Sequence, residues 1–151
     1  MSPAVAVRDA APADLPAIAE VLKQATREAY TFMAWTHDDA SYLAFVTRTF
    51  PTWSHVRVAE ADGAVVGFAC LEGDLLYQLF VLPDRQGRGV GSRLLDDVKA
   101  LKPAGFTLYT FEKNLATRRF YERRGFVETG RGFSEEEQEA DVAMRWIPTD
   151  G

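Results

Sequence analysis

Three glycines at alternate positions, Gly87, Gly89 and Gly91, stand between an apolar stretch that stops at Pro83 and an amphipathic segment that begins at Val90. The apolar stretch predicts a β-strand that ends there, because proline lacks the N–H that a strand ladder needs. The apolar spacing after the glycines predicts a helix. A glycine loop leaves its backbone N–H groups accessible, and the first amides of a helix have no internal partners. Together they predict a site for an anion, most naturally a phosphate or diphosphate.

Two common phosphate-binding patterns fit this loop less well than a third. No lysine follows the last glycine, as a P-loop requires. The dinucleotide pattern has its third glycine where this chain has Ser92, although Glu112 lies where that pattern has an acidic residue. The frame Gln86-x-x-Gly89-x-Gly91 fits a known pattern without adjustment. Positive charge is expected around the loop from Arg85, Arg88 and Arg93.

A second segment with polar side chains at helical spacing runs from 111 to 126. Asn114 is suited to be the N-cap of a helix over 115–124, and Gly125 is suited to end it. Tyr121 lies seven residues after Asn114, two turns along the same helix face. This helix therefore presents an amide and a phenol to one side.

Length and composition bound the class of protein. The 151 residues are 47% apolar and 26% charged, which predicts one globular domain over 1–151. No apolar run approaches a membrane span and no signal-peptide core is present, so we expect a cytoplasmic location. A net charge of −5 argues against nucleic acid as the main partner. The single cysteine, Cys70, excludes an internal disulfide and offers no metal-ligand spacing, and we expect it to be a small buried residue.

The remaining elements follow from periodicity and turn signals. Asp14 is the expected N-cap of the first helix, Asp62-Gly63 predicts a tight hairpin, and Gly67 within a strand predicts a bulge or a close backbone approach. The predicted order is β-α-α-β-β-β-α-β-α-β-β, with strands over 4–8, 55–60, 64–71, 75–82, 106–111, 126–128 and 141–147 and helices over 15–30, 38–50, 90–101 and 115–124.

These features together resemble the GNAT N-acetyltransferase superfamily. The frame Gln86-x-x-Gly89-x-Gly91 is similar to the loop with which that family binds the diphosphate of coenzyme A. The segment from Asn114 to Phe126 is similar to the family pattern N-x-x-A-x-x-[FL]-Y-E-x-x-G-F, although Ala116 lies one place earlier. The resemblance implies an α/β (α+β) fold. In it, a mixed, mostly antiparallel sheet of about seven strands is flanked by about four helices and splayed between the fourth and fifth strands.

The resemblance also implies a site. Acetyl-coenzyme A would lie across the splay, with its pantetheine arm along the fourth strand, its diphosphate on the loop amides and no metal. Tyr121 would donate a proton to the leaving thiolate, and a free backbone N–H at the splay would receive the thioester oxygen. The implied cofactor-binding residues are Leu79, Phe80, Val81, Gln86, Gly87, Arg88, Gly89, Val90, Gly91, Ser92 and Asn114.

The acceptor side is less defined by the sequence. Some family members place a glutamate base where this chain has Leu75, so Asp74 or Glu72 acting through water becomes the candidate base, with His37 and His55 as further candidates. The family layout implies substrate contacts from Phe32, Trp35 and Glu135. Each of these has a structural alternative, as turn residues, a buried aromatic cluster or a solvated acidic loop.

Two functions from different classes follow. The first is an enzyme, monomer or homodimer, that moves an acetyl group from acetyl-coenzyme A to a primary amine of a small molecule or peptide by direct attack. The second is a coenzyme A-binding module of the same fold that has lost turnover. The absent acid at Leu75 favours the second, and Tyr121 and Asn114 favour the first.

Overall fold

The computed structural model describes residues 5–29, 38–135 and 138–148. Within them, seven strands form one sheet in the order β1-β2-β3-β4-β5-β7-β6. The strands are β1 (Ala6–Asp9), β2 (His55–Ala61), β3 (Ala64–Glu72), β4 (Leu75–Val81), β5 (Phe106–Phe111), β6 (Phe126–Ser134) and β7 (Glu139–Trp146). The helices are α1 (Leu15–Ala29), α2 (Asp39–Thr49), α3 (Val90–Leu101) and α4 (Leu115–Glu122).

Helices cover both faces of the sheet because each has one apolar stripe. In α1 and α2 the buried stripe, which includes Ile18, Leu22 and Val46, packs with Phe68 and Cys70 of β3. On the other face, α3 and α4 pack against Leu71, Leu76 and Leu108 through Val90, Leu94, Leu95, Val98 and Tyr121. Burial of such stripes is the main source of helix stability in proteins. The helices predicted from periodicity are confirmed to within two residues at each end.

The tight turn and the strand glycine were also predicted correctly. Asp62 and Gly63 both have positive φ (54° and 76°), the backbone of a two-residue hairpin whose twist matches that of its strands. At Gly67 the ladder between β2 and β3 shifts register. A Cβ placed on Gly67 would lie 3.0 Å from the carbonyl oxygen of Phe80 and 3.1 Å from Leu94. Glycine is therefore required there for α3 to approach the sheet.

Gly67→Ala is expected to lower the free energy of unfolding by about 1–3 kcal/mol, because the added methyl group overpacks the contact between β3, β4 and α3. Gly130→Ala is the matched control. It adds the same methyl group to a strand glycine with no heavy atom within 4 Å of the new Cβ and with no positive φ. Chemical denaturation of both variants checks this. Equal stability for the two would show that the sheet accommodates a side chain at position 67.

The sheet opens between β4 and β5. β4 runs antiparallel to β3 along its length, but it pairs with β5, in parallel, only at Leu75–Thr107 and Leu76–Leu108. A register shift opposite Cys70 and Leu71 leaves Tyr77 as an extra residue of β4, a β-bulge directly after the last pair with β5. Beyond it the two strands diverge. The predicted mixed, mostly antiparallel sheet, splayed between its fourth and fifth strands, is confirmed.

Two local predictions were wrong. The strand predicted over 126–128 continues to Ser134 and forms a long hairpin with β7, so Glu135 lies at the hairpin tip. Its second half is exposed and contains Gly130 and Gly132, so it shows no period-two apolar pattern. Asp14 is not the N-cap of α1. It lies in a short 3₁₀ turn that leads into α1, and its carboxylate accepts hydrogen bonds from the Ala11 N–H and from Arg8.

No helix in the described part of the chain is long and apolar enough to cross a membrane.

Candidate functional site

A cavity of about 490 Å³ lies where β4 and β5 diverge. Its wall comes from β4, the glycine loop with the start of α3, β5, α4 and one residue of α1. The lining residues are 76–81, Gln86, Gly87, Gly89, Gly91, Ser92, 108–110, Asn114, Ala116, Thr117, Phe120, Tyr121, Arg124 and Ala25. The cavity therefore joins the loop and the two helix residues that the sequence analysis selected.

The glycine loop forms one end of this cavity. Gly87 and Gly89 have φ of 77° and 83°, a left-handed backbone that favours glycine, and a Cβ at either position would have no heavy atom within 4 Å. Gly89 is the N-cap of α3 and offers no side-chain cap, and the first helical bond runs from the Arg93 N–H to its carbonyl at 3.0 Å. The amides of residues 90–92 thus have no partner within the helix. This is an anion-binding geometry.

The loop is attached to β4 through Gln86 and lies beside α4 at Gly91. The Gln86 side-chain amide donates to the carbonyl oxygen of Val81 at 3.2 Å, which ties the loop to the end of β4. Gly91 has an ordinary negative φ, and a Cβ there would make an ordinary van der Waals contact with the Phe120 ring at 3.4 Å. The start of α3 therefore lies directly against α4. The two helices therefore form adjacent walls of the cavity.

Arg124 supplies positive charge at this end of the cavity. Its guanidinium donates to the Ser92 hydroxyl at 2.7 and 3.1 Å, donates to the Phe120 carbonyl at 2.9 Å, and lies 3.8 Å from the centre of the Phe120 ring. It is the one cationic side chain among the described lining residues. Sequence reasoning missed it because it is about 30 residues from the loop. Its spacing of four from Phe120, within the helix predicted over 115–124, was the available signal.

The three arginines expected to surround the loop do not line the cavity. Arg85 lies 3.5 Å from Asp62, and Arg88 and Arg93 are exposed. Val90, also predicted to bind the cofactor, has its side chain buried in the core between α3 and the sheet. Val90 can therefore face a ligand in the cavity only through its backbone amide.

Asn114 lies where β5 connects to α4, and its side chain is divided between two roles. Its Oδ1 accepts from the Thr117 N–H at 3.3 Å, which confirms it as the N-cap of α4. Its Nδ2 is buried and has no hydrogen-bond partner in the described part of the chain. A buried amide donor without a partner is unfavourable. Because Asn114 lines the cavity, a ligand there is the natural acceptor.

Tyr121 lies on the same helix and is 6% exposed. Its ring packs edge-on against Phe120 and Phe126, with centroids 5.2 and 5.1 Å away, and it lines the cavity. The aromatic contacts fix the ring, so its hydroxyl group is held at one place in the cavity wall. The sequence placed Asn114 and Tyr121 on one helix face, and the structure brings both to the cavity.

Leu79, Phe80 and Val81 line the cavity along the part of β4 that lies beyond its last pair with β5. On one side they pair with Ala69, Phe68 and Gly67 of β3, and on the other β5 has already diverged. A strand edge that continues beyond the end of its ladder can take an extended, amide-bearing ligand as an additional strand. The bulge at Tyr77 lies at the start of this edge.

The predicted acceptor-side residues lie elsewhere or are not described. Phe32, Trp35 and His37 are outside the described residues. Glu72 is exposed at the end of β3 and Asp74 in the turn that follows, Glu135 is exposed at the β6–β7 hairpin tip, and none of the three lines the cavity. His55 lies on β2, also away from the lining. The described lining residues include no carboxylate and no imidazole.

Cys70 is fully buried, as predicted, and its thiol lies 3.9 Å from the side-chain oxygen of Gln78. Burial raises the pKa of this thiol, so the thiolate that nucleophilic catalysis needs is disfavoured. This agrees with a role for Cys70 in packing.

Three side chains that the sequence analysis did not select also line the cavity. Tyr77 and Tyr109 are 48% and 58% exposed and stand on the two diverging strands. Thr110 is buried and faces the interior, like Phe106 and Leu108 before it on β5. The sequence held a signal for Thr110, because alternate residues of a strand face the same side and β5 was predicted with correct bounds. Thr110 is therefore expected on the same buried face as Phe106 and Leu108.

Comparisons with known proteins agree with this geometry. Residues 52–128 match the family model described as "Acetyltransferase (GNAT) domain". The chain is 28% identical to the peptidyl-lysine N-acetyltransferase YiaC of Escherichia coli K12 over 93% of this chain and 95% of that protein. It is 38% identical to the peptidyl-lysine N-acetyltransferase YjaB of Salmonella typhimurium LT2, over 54% of this chain and only 53% of that protein's length.

Solved structures show the same fold. The solution structure of apo YjaB from Escherichia coli superposes with a TM-score of 0.81 at 21% identity, covering 97% of this chain and 99% of that one. The PaiA N-acetyltransferase of Thermoplasma acidophilum, in complex with coenzyme A, superposes with a TM-score of 0.71 at 18% identity, covering 96% and 99%.

Proposed function

Because the chain belongs to the GNAT acetyltransferase family, we propose that it transfers an acetyl group from acetyl-coenzyme A to a primary amine. The observation that carries the proposal is the set of groups that line the cavity at the β4–β5 splay. The lining brings together the open amides at the start of α3, Arg124, the edge of β4 beyond its last pair with β5, the Asn114 Nδ2 that has no hydrogen-bond partner in the described part of the chain, and the side chain of Tyr121. An elongated ligand with an anionic end and an amide-bearing arm fits this set of groups.

Each of these groups has a proposed role in binding coenzyme A. The loop amides from Gln86 to Ser92 take the diphosphate of coenzyme A, with Arg124 adding charge beside Ser92. The backbone edge of Leu79, Phe80 and Val81 pairs with the pantetheine arm, and Asn114 donates to one of its carbonyl groups. The thioester then lies near Tyr121 and the bulge at Tyr77.

In the proposed reaction the neutral amine attacks the thioester carbonyl in a ternary complex. A new C–N bond forms, and a backbone N–H at the β4 bulge stabilises the oxyanion that develops. The C–S bond then breaks, and the Tyr121 hydroxyl donates a proton to the departing sulfur. The nitrogen of the new amide loses its extra proton, which returns through water to the Tyr121 oxygen and restores the hydroxyl. The proton that the ammonium must lose passes to water, with Asp74 or Glu72 as the proposed base beyond it. This assignment agrees with a cavity lining that includes no carboxylate among its described residues.

The acceptor is proposed to be a primary amine of a small molecule or a peptide. The similarity to two peptidyl-lysine N-acetyltransferases supports a lysine side chain as one member of the panel to be tested. Tyr77 and Tyr109, exposed on the two sides of the opening, offer aromatic surface to an alkylammonium.

Thermal shift with acetyl-coenzyme A, followed by thiol release over a panel of amines, tests this function. We expect stabilisation by acetyl-coenzyme A and by coenzyme A, and thiol release above the protein-free rate with at least one amine. The panel includes a lysine-containing peptide, free amino acids and small polyamines. No binding of acetyl-coenzyme A would contradict the proposed site.

A coenzyme A-binding module without turnover is the second candidate. It is favoured by Leu75, which stands where an acid was expected, and by the described lining, which includes no group able to deprotonate an amine directly. The same experiment separates the two candidates. Stabilisation by acetyl-coenzyme A with no thiol release for any amine would support the module.

A further inference from the structure

Thr110 carries a buried hydroxyl group with no partner. The residue is 7% exposed, and its Oγ1 makes no hydrogen bond within the described part of the chain. A buried hydroxyl without a partner is destabilising, whereas valine would fill the same volume without that cost. The strand itself therefore does not need a threonine here.

Buried threonines in this chain do not all lack partners. Thr26 of α1 is buried to the same degree, at 6% exposed, and its Oγ1 donates to the Leu22 carbonyl at 2.6 Å. The contrast arises from position. Thr26 lies in a helix, where the carbonyl four residues earlier is within reach. Thr110 lies in a strand whose backbone groups on one side are paired with β7.

The place of Thr110 indicates what its hydroxyl faces. It lies two residues beyond Leu108, the last residue of β5 that pairs with β4, and it lines the cavity that opens there. Asn114, four residues later, brings its own unpartnered Nδ2 to the same cavity. The cavity lining thus contains two residues with a buried polar atom that has no partner in the described part of the chain. The Asn114 Nδ2 is a donor, and the Thr110 Oγ1 can donate or accept.

We infer that the Thr110 hydroxyl is a further cofactor-binding group, which accepts a hydrogen bond from an amide of the pantetheine arm or donates one to it. The inference rests on the proposed function, because it takes coenzyme A as the ligand. A secondary amide has one N–H donor and one C=O acceptor. The Thr110 hydroxyl can accept from the N–H, and the Asn114 NH₂ can donate to the C=O. Coenzyme A has two such amides in its pantetheine arm. The bound ligand would then satisfy both atoms that the free protein leaves unpaired.

The test compares Thr110→Val with Thr110→Ser and uses two probes, coenzyme A and ADP 3′-phosphate, which lacks the pantetheine arm. Thr110→Val is expected to weaken coenzyme A binding by about 5- to 30-fold, the effect of leaving a buried polar group of the ligand unpaired. Its binding of ADP 3′-phosphate should match that of the unmodified protein. Thr110→Ser keeps the hydroxyl and should bind coenzyme A within about threefold of the unmodified protein.

Stability supplies an independent readout. Without ligand, Thr110→Val is expected to melt at the same temperature as the unmodified protein or higher, because the variant no longer buries an unpaired hydroxyl. Thr26→Val is the matched control. It deletes an equally buried hydroxyl whose hydrogen bond is made inside α1, so it should lower stability and leave both affinities unchanged.

The outcomes separate this inference from the function on which it rests. If the unmodified protein binds no coenzyme A, the proposed function fails and the inference with it. If the unmodified protein binds coenzyme A and Thr110→Val binds it equally well, the inference alone is overturned. A Thr110→Val protein that melts well below the unmodified one, or fails to fold, also overturns it, because the hydroxyl would then be structural.

Discussion

Tyr121→Phe is expected to lower kcat by about 10- to 1,000-fold, the range for a lost proton donor or oriented hydrogen bond. The substitution keeps the ring and its edge-on contacts with Phe120 and Phe126, so the fold should be unchanged. A phenol is ordinarily a weaker acid than a thiol. The hydroxyl is therefore expected to act mainly through a hydrogen bond that strengthens as negative charge develops on the departing sulfur.

The distinguishing feature of this prediction is where the loss appears. An interaction made mainly in the transition state lowers kcat and kcat/KM together and leaves ground-state binding nearly intact. The dissociation constant for coenzyme A should therefore stay within about threefold of the unmodified value. Thiol-release kinetics with the best amine and calorimetric titration measure the two quantities.

Tyr42→Phe is the matched control for Tyr121→Phe. Tyr42 is also 6% exposed, but it belongs to α2 and does not line the cavity. Its substitution should leave kcat unchanged. Full kcat in the Tyr121 variant would make Tyr121 a packing residue, and the proton for the thiolate would then have to come from water.

Gly89→Asp is expected to weaken coenzyme A binding by about 100-fold at low salt. A Cβ at position 89 would meet no protein atom within 4 Å, and aspartate is among the residues that best tolerate the left-handed backbone found there. The added carboxylate would lie close to the open amides at the start of α3. Two unit charges of like sign about 5 Å apart repel by about 3 kcal/mol at an effective dielectric constant of about 20. That energy corresponds to about 100-fold in affinity.

Gly89→Asn isolates the charge from the shape of the side chain. Asparagine and aspartate have the same size and similar tolerance of the left-handed backbone that Gly89 adopts, with φ of 83°. Asn should therefore weaken binding far less than Asp, and the gap between them should narrow as salt is added. Equal affinities for the two variants would place the phosphates away from this loop.

Much of the fold was predictable because local rules and tertiary packing agree. The apolar stripe of α3, the positive-φ pair Asp62-Gly63 and the proline after β4 each determine an element without reference to distant residues. The second half of β6 was missed for the opposite reason. It is an exposed edge strand with two glycines, and it is held by its pairing with β7 rather than by a pattern of its own.

The candidate site was predictable only in part. The glycine loop, Asn114 and Tyr121 fall in short local patterns, and all line the cavity. Arg124 and Thr110 were missed because their roles depend on distant partners. Arg124 is near the loop because its guanidinium donates to Ser92 at the start of α3, and Thr110 faces the cavity because β4 leaves β5 after Leu76. Neither event is visible in the residues next to them.

The central claim is direct acetyl transfer from acetyl-coenzyme A to an amine in a ternary complex. Initial rates measured while both acetyl-coenzyme A and the best amine are varied, together with intact mass after incubation with acetyl-coenzyme A alone, test it most directly. We predict intersecting double-reciprocal lines and an unmodified protein mass, in agreement with the buried Cys70 thiol and its raised pKa. Parallel lines, with a protein mass increased by one acetyl group that is lost when amine is added, would contradict the claim and indicate a covalent intermediate.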